Sequence, residues 1–394
     1  VLWRSLVWAA RKPFALRCLP PLVAMRVDDV CGLGEAWGQS PLYWVEIANQ
    51  NGFRPWLGLF LHNLSNGAID QLRGLLLGGT ASAFPHALGR PVKDGAGDRD
   101  SARISMPLRT SAQDEFIYFD HHGGRPWPDR ELDRRVAVVD AWYAQTTLPV
   151  SSYALPHWYE MGRNCARYLA DTWHVQFLGL CSQPGSVFGR DTPWLRAAPF
   201  RLYEDAGTCY FHKDDRGLQP VYYADWIDVD DRRFFNSLVE IRGAPDYEWE
   251  PDNDVTATAQ RGICHLLRAL DSLALAVLFT HETDHIRDIR PDSWDATLSQ
   301  ISKGIAGHSP QFVTIDMAAQ YQRAMCTSRL AAADYDPEQN AILLRLTGHT
   351  DLPTHVRVFL ESDDGVGSTY VEAPALEGEV VLSVAVKDLT VSPC

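Results

Sequence analysis

The sequence predicts an α/β fold, a distorted (β/α) barrel of about seven strands followed by a small C-terminal β-sandwich. From about residue 20 to 325, short apolar runs alternate with segments whose apolar residues recur at helical spacing, which is typical of a largely parallel sheet. Polar residues recur at the ends of the predicted strands, and in a parallel barrel those ends form one rim. After about Arg329 the runs become short, with period two or fully apolar, which favours a sandwich.

The first predicted strand begins near Leu22 and ends in two adjacent carboxylates, Asp28 and Asp29. It is bounded by prolines and glycines, as is typical of a buried strand. Successive strand side chains face opposite ways, but a turn at the strand's end can direct both acids into one cleft. Close carboxylates acquire different pKa values, so one can bind a metal while the other acts as a base. The alternative is that the pair simply begins a turn.

The other elements of the barrel follow in alternation. Strands are predicted at residues 55–61, 80–84, 116–119, 175–180, 273–280 and 312–315, and helices at 42–51, 68–77, 129–144, 162–172, 256–273 and 293–305, with a last helix ending near 325. Residues 88–113 read as a long surface excursion, which is often mobile or functional. Residues 181–255 are irregular, acidic and aromatic, and no elements are assigned there.

Polar side chains collect at the carboxyl ends of these strands. They are Asp28, Asp29, His62, His86, Asp120, His121, His122, His157 and His281. Thirteen histidines distributed at random would not be expected to gather there. We therefore expect a site at this rim, where parallel barrels carry their active sites.

Composition and charge exclude several classes of function. The net charge of -14, from 50 acidic and 36 basic residues, argues against a nucleic-acid partner and an anionic membrane surface. No apolar run reaches the ~18 residues of a transmembrane segment. The eight cysteines contain no C-x-x-C pair, so neither a zinc finger nor a disulfide framework is indicated. Serine hydrolase and nucleotide-binding motifs are lacking too. Because the chain begins at Val1, we expect that a leader was removed and that the protein is extracellular or in the cell envelope.

Histidines and carboxylates at one rim suit a divalent cation such as Zn²⁺. Such an ion activates a water and polarises a carbonyl oxygen. A nearby carboxylate takes the water's proton, and an acid on the other side protonates the leaving group. Asp28 as base, Asp29 as metal ligand and His281 as acid meet these needs. The alternative for His281 is a structural histidine at a strand end, although Glu282 and His285 beside it favour a site.

The remaining histidines carry open alternatives. His86 is equally well a metal ligand or a turn histidine. His121 and His122 are adjacent, so only one of them should face the cleft, and simple loop exposure is the alternative for both. The stretch His157–Glu160 could supply an aromatic wall for a sugar ring and a carboxylate, or pack against the following helix.

Four stretches together resemble the polysaccharide deacetylase superfamily over roughly residues 20–325. They are Arg26-Val27-Asp28-Asp29, His86 after the third strand, Pro156-His157-Trp158-Tyr159, and Leu278-Phe279-Thr280-His281-Glu282. The resemblance implies a distorted (β/α) barrel that uses a divalent metal to remove N-acetyl groups from amino sugars, or O-acetyl groups. It also implies that Asp28 is the base, Asp29 a metal ligand, His86 the first metal histidine and His281 the acid.

The sequence departs from that family in its second metal histidine. The family places two histidines one helical turn apart, whereas the residue four after His86 is Arg90. We expect the second ligand to be His122, with His121 as its rival. The residues expected to contact substrate are Arg26, His121, His157, Trp158, Tyr159 and Glu282.

The sequence therefore predicts a metal-dependent carbohydrate deacetylase, with Zn²⁺ as cofactor, a carbohydrate as partner, no nucleic acid and no transmembrane segment. Residues 1–328 would form the barrel and 329–394 the accessory sandwich. One alternative is a glycosidase that pairs Asp28 with Glu282 or Asp284, with carboxyl groups ~5–9.5 Å apart. The other is a non-catalytic carbohydrate-binding protein.

Overall fold

The computed structural model describes residues 14–89, 115–165, 167–178, 219–220, 236–240, 254–271, 273, 275–283, 285–362 and 365–392. Most of the predicted surface excursion (88–113) and of the unassigned stretch (181–255) lies outside the described residues, as does Asp284.

The described α-helices are α1 (Tyr43–Gln50), α2 (Asn66–Leu77), α3 (Asp129–Thr146), α4 (Val255–Asp271), α5 (Pro291–Ile305) and α6 (Ile315–Thr327). The described strands are β1 (Phe14–Cys18), β2 (Leu22–Val30), β3 (Pro55–Phe60), β4 (Ser82–Ala87), β5 (Tyr153–Ala154), β6 (Phe177–Leu178), β7 (Gln219–Pro220), β8 (Asn236–Glu240), β9 (Leu275–His281), β10 (Gln311–Phe312), β11 (Ser328–Asp336), β12 (Ala341–Thr350), β13 (Thr354–Ser362), β14 (Gly365–Ala373), β15 (Leu376–Ala385) and β16 (Thr390–Ser392).

A parallel sheet forms the centre of the larger of two compact units, Pro21–Ala318. Its strands run in the order β4-β3-β2-β9-β8, and β10 pairs with the start of β2. Strand β2 lies in the middle, and all nine of its residues are buried. A continuous apolar run of this kind is typical of a parallel strand covered on both faces.

The predicted barrel is wrong. Among the described residues the main parallel sheet is open, with β4 and β8 at its edges, and β5, β6 and β7 form a separate parallel sheet of two-residue strands. Two further sheets are antiparallel. Alternation of strands and helices predicts parallel neighbours, but closure depends on pairing between strands far apart in the chain. That pairing leaves no local signal in the sequence.

The strand predicted at 312–315 is reduced to β10 (Gln311–Phe312), and two other predicted elements do not form. Residues 116–119 are buried but make no strand, because their backbone groups bond to loops: the Tyr118 carbonyl accepts from Gly162. The helix predicted at 162–172 is replaced by a short 3₁₀ turn at Arg163–Cys165 and a π-helical turn at Tyr168–Thr172. Burial rather than strand pairing accounts for the apolar run at 116–119.

Helices α4 and α5 pack tightly against each other. A Cβ on Gly262 of α4 would lie 2.7 Å from the Ile301 side chain, and one on Gly304 of α5 would lie 2.6 Å from Ile263. The two glycines therefore let the helices approach closely. The indole of Trp294 in α5 donates to the backbone oxygen of Trp44 in α1, which ties these two helices together.

The smaller unit comprises residues up to 20 and from 319 onward. One antiparallel sheet has the order β1-β13-β14-β16 and the other β11-β12-β15. Side chains from both sheets share one apolar core, which includes Leu344 and Leu346 of β12 and Val356 and Val358 of β13. Strand β1, just before the first strand of the parallel sheet, pairs with β13 in this unit. None of the described helices combines the length and apolar character needed to cross a membrane.

Candidate metal centre

The carboxyl end of β2 is turned by an unusual backbone conformation at Asp29. Its φ of 57° is left-handed, which costs about 1–2 kcal/mol for a residue with a side chain. The pairing register between β2 and β3 also shifts between Val27 and Val30. As a result both neighbouring acids face His86: its Nε2 atom lies 3.7 Å from an oxygen of Asp28 and 3.7 Å from Oδ1 of Asp29.

Asp29, His86 and His157 form a buried group that can hold a metal ion. Asp29 Oδ1 lies 3.7 Å from His86 Nε2 and 3.5 Å from His157 Nδ1. Tetrahedral ligands about 2.0–2.2 Å from one zinc ion are separated by about 3.3–3.6 Å, so these spacings suit a small cation. The side chains of the two histidines are only 2% and 6% exposed.

Each imidazole has an oxygen neighbour on the side away from the acids. His86 Nδ1 lies 2.8 Å from the Leu155 carbonyl oxygen, so this nitrogen carries the proton and Nε2 presents its lone pair to the acids. His157 Nε2 lies 3.0 Å from Oε1 of Glu115, which leaves Nδ1 toward Asp29. Metal-binding histidines commonly have such an outer oxygen partner. Burial lowers the pKa of His86 to about 3, so the ring is neutral at physiological pH, as a ligand must be.

Asp28, which also faces His86, is paired with Arg26. The guanidinium donates to both carboxylate oxygens, with Nε 2.7 Å from Oδ1, and it stacks over the Phe279 ring at 4.2 Å. Burial raises the pKa of Asp28, but the charge and hydrogen bonds of Arg26, together with the neighbouring His86 and His157, outweigh burial, so the pKa lies below its ordinary value. Arg26 is 1% exposed, so its position favours orienting Asp28 over the predicted contact with substrate.

His281 is the last residue of β9, directly beside Asp28 in the parallel pairing. Residues paired across a sheet share a face, so the predicted acid and base occupy neighbouring positions. The His281 ring is buried against Phe279, with the two centroids 4.8 Å apart.

The predicted second metal histidine, His122, needs correction, because the group contains His157 instead. His122 is exposed, and its ring packs against Phe116 at 5.8 Å. His121 stacks on the same Phe116 ring, at 4.6 Å, and its Nδ1 lies 2.8 Å from Glu160. Residues 116–119 form no strand, and neither of the histidines after them belongs to the metal group. The chain reaches the site later, just after β5.

The other predicted substrate residues divide in the same way. His157 belongs to the metal group rather than to a sugar-binding wall. Trp158 is half-buried, with a left-handed φ of 55°, and its ring lies 4.3 Å from His121. The side chain of Tyr159 is not among those that the structure describes. Glu282 is 1% exposed and engaged by backbone and indole N–H groups, so it does not face a substrate.

The sequence did not single out two residues whose oxygen atoms lie against the imidazoles. Leu155 acts through its backbone carbonyl, which no side-chain pattern marks. Glu115 precedes the apolar run at 116–119, and its acidic character was the one available signal. Leu155 and Glu115 come next to their histidines only in the folded chain, so the sequence alone does not show these contacts.

Comparisons with known proteins do not identify a family for this chain. No family model matches the chain, and no curated protein matches it. A solved structure described as a cube-shaped, highly porous protein cage designed by fusing symmetric oligomeric domains matches 78% of this chain and 77% of its own, with 10% identity and a TM-score of 0.27. A likeness at that score carries no argument about fold or function. The function must therefore be argued from the chemistry of the site.

Proposed function

We propose that this protein is a metal-dependent hydrolase that removes acetyl groups from acetamido sugars, with Zn²⁺ as its cofactor. The observation that carries the proposal is the buried Asp29–His86–His157 group beside an acid, Asp28, that a separate partner holds ionised. An acid that bound the metal could not serve as the base, and of the two carboxylates it is Asp28 that is paired with Arg26.

The donor set favours zinc over harder cations. Two neutral imidazoles and one carboxylate are typical ligands of catalytic Zn²⁺, which keeps an open fourth position. Mg²⁺ and Ca²⁺ prefer sites made of oxygen atoms. When bound, the ion would supply Lewis-acid polarisation of the scissile carbonyl and of a water. Asp29, His86 and His157 would hold it.

The chain's own groups then move the protons. The ionised carboxylate of Asp28 accepts a proton from the attacking water, and Arg26 keeps that carboxylate in place. His281, its neighbour across the β2–β9 pairing, gives a proton to the departing amine nitrogen. General acid and base groups of this kind contribute about 10²–10⁴-fold each.

The carbohydrate part of the proposal is supported by the resemblance to polysaccharide deacetylases and by aromatic side chains beside the metal group. The ring of Trp158 lies 6.1 Å from that of His157. Aromatic rings offer a flat apolar surface with a polar edge, which suits the face of a sugar. Glu282 does not support the alternative function of a glycosidase, because four N–H donors occupy the Glu282 carboxylate.

The test is acetate release from N-acetylglucosamine oligomers. We expect activity that a chelator abolishes and added Zn²⁺ restores, and a loss of at least 10²-fold in kcat for Asp28→Asn. Asp292→Asn, the same change at an exposed acid, should leave activity unchanged. Metal content and thermal unfolding of Asp28→Asn are measured alongside, since Arg26 loses its charged partner. Metal-independent acetate release would contradict the proposal, as would full activity in folded Asp28→Asn.

A further inference from the structure

Glu282 joins the end of β9 to the loop that follows the two acids. Its Oε2 accepts from the backbone N–H groups of Cys31 and Gly32, and its Oε1 accepts from the N–H of Leu33 at 2.9 Å and from the Trp44 indole at 2.8 Å. Its own N–H donates to the Asp28 carbonyl oxygen at 3.1 Å. These contacts connect residues about 250 positions apart.

The loop held in this way begins at Cys31, two residues after Asp29. Asp29 itself is left-handed, and Gly32 has a φ of 76°. Such conformations persist in side-chain-bearing residues only where the surroundings determine them. Gly32 also lies against α2, where an added Cβ would come within 2.8 Å of the Ala68 side chain. The turn at Asp29 is therefore fixed from its C-terminal side.

The Glu282 carboxylate in turn depends on the loop for its hydrogen-bond donors. It is buried, and burial raises the pKa of Glu282, whereas its four N–H partners oppose that shift. A buried carboxylate without hydrogen-bond donors is strongly unfavourable. The loop must therefore turn its three successive N–H groups toward Glu282.

We infer that Glu282 is a positioning residue for the metal centre: it holds the turn after β2 in the conformation that directs Asp29 toward His86 and His157. This inference rests on the proposed metal-dependent function. Glu282 itself lies outside the metal group and acts through the backbone between Asp29 and Leu33.

The chemistry of the contact requires a carboxylate. Each oxygen of Glu282 accepts from two donors, so the amide group of a glutamine would face two N–H donors in either orientation. Glu282→Gln therefore keeps the size and shape of the side chain while forcing part of the loop to move. A side chain that served only for packing would tolerate this change.

The experiment compares Glu282→Gln with a control variant, Leu278→Ala. Leu278 is buried in β9 next to α4, so its truncation weakens the same strand without touching the loop. Co²⁺ is the probe, because its visible absorption reports both affinity and ligand geometry. Thermal unfolding of the metal-free proteins and amide hydrogen exchange at Cys31, Gly32 and Leu33 complete the measurements.

We expect Glu282→Gln to bind Co²⁺ at least tenfold more weakly, with an altered absorption spectrum and faster exchange of the three amides. Leu278→Ala should lower the melting temperature and keep Co²⁺ affinity within twofold. An unchanged Co²⁺ affinity and spectrum in folded Glu282→Gln would overturn the inference and leave the metal centre intact.

Two other outcomes are possible, a Glu282→Gln variant that does not fold and a wild type that binds no Co²⁺, and each has its own measurement. If Glu282→Gln does not fold, Trp44→Phe, which removes one of the four donors, should weaken Co²⁺ binding in the same direction. An unchanged Co²⁺ affinity in Trp44→Phe would overturn the inference. A wild-type protein that binds no Co²⁺ would overturn the proposed function, and this inference with it.

Discussion

Replacing His157 by glutamine tests the ligand that the structure puts in place of His122. The glutamine amide reaches the position of His157 Nε2, so it can keep the contact with Glu115 that lies at 3.0 Å. It has no donor atom at the position of Nδ1, which lies 3.5 Å from Asp29 Oδ1. The substitution therefore removes one metal ligand while preserving most of the side chain's volume and its outer partner.

The size of the effect follows from the number of ligands. Structural zinc sites with four ligands bind with about 10–16 kcal/mol, or roughly 3 kcal/mol per ligand if shared equally. Because each 1.4 kcal/mol is a factor of ten, losing one of the three ligands in this group should weaken Zn²⁺ binding by more than about 100-fold.

The assay is competition for Zn²⁺ with a chromophoric chelator, together with metal content after dialysis. His122→Gln is the control, because His122 is exposed and the rings beside it, those of Phe116 and His121, are not part of the metal group. We expect His122→Gln to bind Zn²⁺ as the wild type does. Strong binding by His157→Gln combined with loss of binding in His122→Gln would refute the assignment and restore the sequence-based one.

Two further predictions concern stability. In Arg26→Met the buried Asp28 loses its partner, and breaking a buried pair costs about 3–5 kcal/mol. Because Arg26 holds the pKa of Asp28 below its ordinary value, the wild type keeps this stabilisation above about pH 4 and loses it as the pH falls through the folded-state pKa. Arg26→Met removes the charge and the hydrogen bonds of Arg26, so the pKa of Asp28 rises in the direction that burial favours. The stability gap between the two metal-free proteins should therefore narrow in urea unfolding as the pH falls from 7 to 3; a constant gap would contradict this. In the smaller unit, a Cβ on Gly348, where φ is 122°, would lie 2.4 Å from the Thr327 carbonyl oxygen. We expect Gly348→Ala to cost about 3 kcal/mol in urea unfolding and Gly378→Ala, which meets no atom within 4 Å, about 1–2 kcal/mol; equal losses would rule out the clash.

The sequence by itself determined the parallel sheet at the centre of the fold and most of the polar residues at its strand ends. The buried run at Leu22–Val30, the acids at its end and the histidine closing β9 are all local patterns. Apolar periodicity and turn residues act over a few positions, so they can be read from the chain directly. The proximity of Asp28, Asp29 and His86 follows from them, because parallel strands end at one edge.

Only the tertiary structure decided how the strands pair and which histidine completes the metal group. Among the described residues the main sheet is open, and the apolar run at 116–119 makes its backbone contacts with loops. His157 takes the place predicted for His122 because the chain returns beside β4 after α3. Glu282, which the sequence placed at the substrate, became a buried anchor through N–H groups about 250 residues away. Contacts between such distant residues depend on the packing of whole elements, and no spacing along the chain records them.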